Sequence, residues 1–101
     1  LNNVPATPFI IYGAGSHSAR LLPRLNSQQK SNLIAILDGN ANLHGKKFGD
    51  WLVEPPEALS NYPDIPVLIS SWRSENTIAQ NLKKNFPGHV LKLMYKNASR
   101  V

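Results

Sequence analysis

The stretch Phe9-Ile10-Ile11-Tyr12-Gly13-Ala14-Gly15-Ser16-His17-Ser18 decides how the rest of the chain is read. Its first four residues are continuously apolar, aromatic or β-branched, as expected of a strand buried on both faces of a sheet. Gly13-Ala14-Gly15 ends that strand. A helix should follow, with Ser16 as its cap and Ala19, Leu21, Leu22 and Leu25 supplying its apolar surface. Pro23 lacks a backbone donor and should leave that helix short or bent.

Residues 13–18 have the form G-x-G-x-x-S, placed directly between a strand and a helix. In this context the first glycine permits the tight turn and the second lets a phosphate approach the backbone. The third small residue allows the helix to pack closely on the strand. Amides at the helix start, with the helix dipole, would then hold an anion. Gly13, Gly15, Ser16 and His17 are therefore the candidate phosphate-binding residues, with Ser18 standing where a dinucleotide fingerprint has its third glycine. Asp38 adds to the pattern. It ends the next apolar run and lies 23 positions after Gly15, near the interval at which an acidic residue binds a ribose hydroxyl. The alternative is that Gly13 and Gly15 serve only the turn and Asp38-Gly39 is an ordinary turn pair.

Outward from this unit the same alternation continues. Leu33-Ile34-Ala35-Ile36-Leu37 is a second buried strand, residues 40–50 read as a polar loop, and Trp51-Leu52-Val53 is a short third strand. Pro55-Pro56-Glu57-Ala58-Leu59 reads as a brief helix opened by proline. Pro66-Val67-Leu68-Ile69-Ser70 is a fourth strand, with proline tolerated at its start. Ser74 is placed to cap a helix in which Ile78, Leu82 and Phe86 share a face, Pro87-Gly88 stops it, and residues 90–95 form a last strand. Ser70, Ser71, Trp72 and Arg73 lie at the fourth strand's carboxyl end, where open α/β sheets bind ligands; Ser71 and Trp72 are candidates for the opposite wall of a site, and Arg73 for a phosphate. His44 and Lys46-Lys47 fit a solvated loop best.

Composition narrows the function classes. The 101 residues, 42% hydrophobic and 17% charged, suit one globular domain, and no apolar run is long enough to span a bilayer. The absence of cysteine excludes a disulfide framework, a zinc ribbon and thiol catalysis, and fits a reducing, cytoplasmic setting. The net charge of +5 suits an anionic partner. The basic residues are scattered, however, with adjacent pairs only at Lys46-Lys47 and Lys83-Lys84, so nucleic acid is not the expected partner. There is no P-loop, no G-x-S-x-G elbow and no metal-ligand spacing among His17, His44 and His89. The chain begins at Leu1 without methionine or signal-peptide character, which suggests a module of a longer polypeptide.

The run Ile11-Tyr12-Gly13-Ala14-Gly15-Ser16-His17-Ser18-Ala19-Arg20-Leu21-Leu22 resembles the opening of small Rossmann-like modules attached to bacterial sugar-modifying and surface-polysaccharide enzymes. Asp38-Gly39-Asn40, Leu43-His44-Gly45, Pro55 to Leu59 and Val67 to Ser71 continue the likeness over nearly the whole chain. The resemblance implies a three-layer α/β Rossmann-like domain with a mostly parallel sheet of about five strands, order 3-2-1-4-5. It also implies an accessory module for a nucleotide-type small molecule, NAD(P) or a nucleotide sugar, working beside neighbouring domains of a transferase or other sugar-modifying parent. The isolated domain would not itself be catalytic. The rival readings are the NAD(P)-binding half of an oxidoreductase or epimerase, and a ligand-free structural or interaction module.

Overall fold

The fold is that of a computed structural model, which describes residues 4–71 and 74–93. The chain runs β1 (Phe9–Tyr12), α1 (Ser16–Leu21), a 3-10 turn (Leu22–Arg24), α2 (Ser27–Asn32) and β2 (Leu33–Leu37). A 3-10 turn at Ala41–Leu43 leads to β3 (Lys47–Phe48) and β4 (Trp51–Glu54). A longer 3-10 turn (Pro56–Asn61), β5 (Val67–Ile69), α3 (Glu75–Asn85) and β6 (Leu91–Leu93) complete it.

The sheet has the order β3-β4-β2-β1-β5-β6. All pairings are parallel except β3 with β4. Without β3 the order matches the expected one; the additional strand, β3, lies within the stretch expected to be a loop. Phe48 pairs with Trp51 across Gly49-Asp50, and Gly49 has φ +62°. That geometry fits a two-residue hairpin turn with glycine in its first position.

Alternating residues of the central strands feed two cores, one on each face. Phe9, Ile11, Ile36, Val53 and Leu68 pack with Leu21 and Leu25 from α1 and the turn after it. On the other face Ile10, Leu37, Val67 and Ile69 pack with Ala58 and Leu59 of the long 3-10 turn and Ala79 and Leu82 of α3. The architecture is therefore three layers, with the sheet in the middle.

Local departures from expectation have local causes. Pro23 breaks the first helix as anticipated, so α1 has six residues and yields to a 3-10 turn. Gly15, not Ser16, is its N-cap, and no side chain caps it. Ser18 and Leu21 are its buried residues, whereas Ala19 is exposed. The segment after Leu25 forms α2 through a reciprocal capping box: Asn26 Oδ1 accepts from Gln29 N–H at 2.8 Å and Gln29 Oε1 from Asn26 N–H at 2.9 Å. The proline-opened helix is 3-10 in character. Ser74 does precede α3, but its side chain makes no capping bond. Of the last expected strand Leu91–Leu93 is formed, while Met94 and Tyr95 lie outside the described residues. Among the described residues no helix is long and apolar enough to cross a membrane.

Candidate functional site

The chain leaves β1 for β2 on one side and returns to β5 on the other, so β1 is the point where strand order reverses. Open α/β sheets have a crevice outside the carboxyl ends of the strands at such a point. Here a cleft of about 560 Å³ opens there, lined by Gly13, Gly15, Ser16 and His17 after β1, Asp38, Gly39 and Asn40 after β2, and Ser70 and Ser71 after β5. Tyr12, Arg20, Ser74 and Ile78 complete its walls.

Gly13 makes the turn. Its φ is +121°, and a Cβ there would lie 2.7 Å from the Ser70 carbonyl oxygen, so only glycine fits. The Gly13 N–H donates to the Leu37 carbonyl at 2.7 Å, holding the turn against the end of β2. Gly15 is different: it is exposed, has φ −104°, and nothing lies within 4 Å of where its Cβ would be. Open space above Gly15 is what an approaching ligand needs. Because α1 is only six residues long, the exposed turn contributes more to such a site than the helix dipole does.

Asp38 faces that turn from β2. Its Oδ2 accepts from Ala14 N–H at 2.8 Å and its Oδ1 from Asn40 N–H at 2.8 Å. Each oxygen keeps a further lone pair for a hydroxyl donor. The backbone of Asp38 is pinned as well: its N–H donates to the Glu54 carbonyl at 3.0 Å, and its carbonyl accepts from His44 Nε2 at 2.6 Å. His44 thus supports Asp38 rather than lining the cleft. Tyr12 stands beside this carboxylate, its hydroxyl 3.1 Å from where a Gly39 Cβ would be. Burial, then the Asp38 and Glu57 charges, push its pKa above the ordinary tyrosine value, keeping the hydroxyl protonated.

A second network closes the base of the turn. Ser18 Oγ lies 2.6 Å from the Gly13 carbonyl and 2.7 Å from Ser70 Oγ, and Ser70 Oγ lies 2.7 Å from His17 Nδ1. The carbonyl only accepts, so the single Ser18 proton goes to it; the Ser70 proton then goes to Ser18, and His17 Nδ1–H donates to Ser70. This order argues against Ser70 as a nucleophile, because its proton points away from the histidine and its side chain is buried. Ser18 and Ser70 are both nearly inaccessible, which makes Ser18 a packing and bonding residue in the third-glycine position. Burial first, then Arg20, lower the His17 pKa below the ordinary histidine value, with Glu75 opposing them.

Of the residues singled out from sequence, Gly13, Gly15, Ser16, His17, Asp38 and Ser71 meet in this one cleft. Ser71 Oγ accepts from Ser74 N–H at 3.3 Å, just ahead of α3, whose first turn no side chain caps. Trp72 and Arg73 lie outside the described residues. Sequence reading placed Ser70 on the strand edge where ligands bind but gave it no bonding role, and gave none to Tyr12 or Asn40; a serine at a strand's carboxyl end and another in the third-glycine position were the available signals for the Ser18–Ser70 bond. Among the described residues no group of three His, Asp or Glu side chains is placed to hold a metal ion.

Neither a family model nor a curated protein matches the sequence. Solved structures do match. RSP, a Rex-family repressor, superimposes with a TM-score of 0.61 at 21% identity over 99% of this chain. RSP in complex with beta-NADH gives 0.60 at 20% identity over 94%. RSP in complex with beta-NAD+ and operator DNA gives 0.59 at 20% identity over 94%. This chain spans 58%, 56% and 54% of those chains respectively, little more than half. The fold is accordingly Rossmann-like.

Proposed function

We propose that this chain is a nucleotide-recognition module that binds its ligand in the cleft at the carboxyl end of β1. The observation that carries the reading is the pairing, across one cleft, of an open glycine turn with a pinned carboxylate. A phosphate or diphosphate would lie over Gly15 and Ser16, with the net positive charge of the chain in its favour. Asp38 would accept from ribose hydroxyls with its remaining lone pairs, and Ser71 would form part of the other wall. Structural likeness to a repressor solved with beta-NAD+ and with beta-NADH supports a dinucleotide as the first ligand to try.

A nucleotide sugar is the second ligand class, carried by the sequence resemblance alone. A sugar-modifying or transferase parent has no support among the structural neighbours. Nucleic acid is not the ligand proposed for this cleft: the basic residues are scattered along the sequence, although one structural neighbour was solved with operator DNA as well as beta-NAD+.

Calorimetric titration with NAD(H), NADP(H) and UDP-, GDP- and CMP-sugars tests the proposal. Wild type is expected to give saturable heat with at least one of them. Gly15→Val, which has room for its side chain and an ordinary φ, should fold and lose that heat by filling the space over the turn. Absence of heat across the panel at millimolar ligand overturns the reading.

A further inference from the structure

Among the described residues that line the cleft, Asp38 carries the one fixed negative charge and Arg20 the one fixed positive charge. Asp38 is held by two backbone amides. Arg20 lies four positions after Ser16 and three after His17 on α1, so these three share a face of the helix, whereas Ser18 and Leu21 are buried. Helical side chains lean toward the N-terminus of their own helix, which here is the glycine turn. Arg20 is exposed at the open rim of the cleft and makes no hydrogen bond or ion pair among the described residues. Its charge nevertheless reaches the turn: after burial, it is what lowers the His17 pKa.

An anion over Gly15 and Ser16 needs such a charge. The Gly13 N–H already donates to Leu37 and the Ala14 N–H to Asp38, so the turn offers only the amides from Gly15 onward, all of them neutral. With six residues, α1 adds little dipole to them. The Asp38 carboxylate, bonded to the same turn, repels an anion placed there. Resting on the nucleotide reading of this cleft, we infer that Arg20 is its phosphate-recognising side chain, closing over an ionised phosphate or diphosphate ester that lies on the glycine turn. The ligand class this selects is a phosphate ester over a neutral nucleoside. A guanidinium suits the task, because it donates two parallel N–H bonds to phosphate oxygens and stays charged throughout the working pH range. It also offsets the Asp38 charge, so that one cleft can hold a phosphate and the hydroxyls of the same ligand.

Arg20 is exposed, so Arg20→Gln and Arg20→Lys should fold with nearly the wild-type Tm. The test is calorimetric titration of all three proteins with NAD+ and with UDP-glucose, both diphosphate esters, at about 20 mM and about 500 mM sodium chloride. At low salt Arg20→Gln should bind about tenfold more weakly than wild type, the loss of one charge-assisted contact. Arg20→Lys, which keeps the charge but not the fork, should stay within about threefold of wild type. Added salt should weaken wild type and Arg20→Lys more than Arg20→Gln, because only the first two hold the phosphate with a charge at the rim. Arg20→Gln that binds as tightly as wild type, or Arg20→Lys that binds as weakly as Arg20→Gln, overturns this inference and leaves the nucleotide reading intact. Failure of wild type to bind either ligand at millimolar concentration overturns the two together.

Discussion

Replacing Gly13 by alanine puts the turn geometry under direct strain. The new Cβ would stand 2.7 Å from the Ser70 carbonyl oxygen and 3.4 Å from its carbon. Ser70 cannot retreat freely, because its N–H donates to the Tyr12 carbonyl at 2.9 Å and its hydroxyl joins the Ser18–His17 network. Alanine must also occupy φ +121°, a region costing roughly 1–3 kcal/mol for a residue with a Cβ. Overpacking adds about 1–3 kcal/mol. Reduced freedom of the unfolded chain returns at most about 1 kcal/mol. The net loss is about 1–6 kcal/mol, which in a domain of this size lowers Tm by about 4 °C or more. Gly15→Ala is the control: its Cβ meets nothing within 4 Å and its φ is negative, so its stability should stay within about 1 kcal/mol of wild type. Urea and thermal melts of the two variants, run side by side, separate them. A Gly13→Ala protein as stable as wild type, or two variants equally destabilised, would refute the account of the turn.

The other stability effects are smaller. Ser18→Ala removes the donor to the buried end of the Gly13 carbonyl and should cost about 1–3 kcal/mol in urea unfolding; a neutral result would mean that the Ser18–Ser70 network holds nothing. Asn26→Ala breaks the capping box of α2 and should cost about 1 kcal/mol without altering ligand binding, since neither Asn26 nor α2 lines the cleft. Because the folded protein lowers the His17 pKa, its folded state binds fewer protons than its unfolded state as pH falls through the histidine range. Stability from this group is therefore lost between about pH 7 and pH 5, and the Tm of His17→Asn should decline less over that interval; equal slopes would contradict the assignment.

What could be read from sequence followed the strength of the local signal. The apolar runs at 9–12, 33–37 and 67–69 could hardly be anything but central strands, and all three are buried almost throughout. Gly13, Gly15 and Asp38 were legible as a set because the turn and the strand end follow from position in a β-α-β unit. The hairpin strand was not, because Lys47–Phe48 is two residues long and defined by its partner; the Gly49-Asp50 turn between Phe48 and Trp51 was its only local mark. α2 was missed for a related reason. It buries no side chain, so it has no apolar periodicity, and only Asn26 and Gln29 at capping spacing announce it. The Ser18–Ser70–His17 chain joins residues 52 and 53 positions apart, a pairing that exists only once β1 and β5 lie side by side.

The central claim is that a nucleotide occupies the cleft where β1 meets β2 and β5. Amide chemical-shift mapping with NAD+ tests it most directly, residue by residue. The account predicts saturable shifts concentrated at Gly13, Gly15 and Ser16, at Asp38 to Asn40, and at Ser71, all lining the cleft. Shifts confined to the β3–β4 hairpin or to β6, or none at millimolar NAD+ and UDP-glucose, would contradict it.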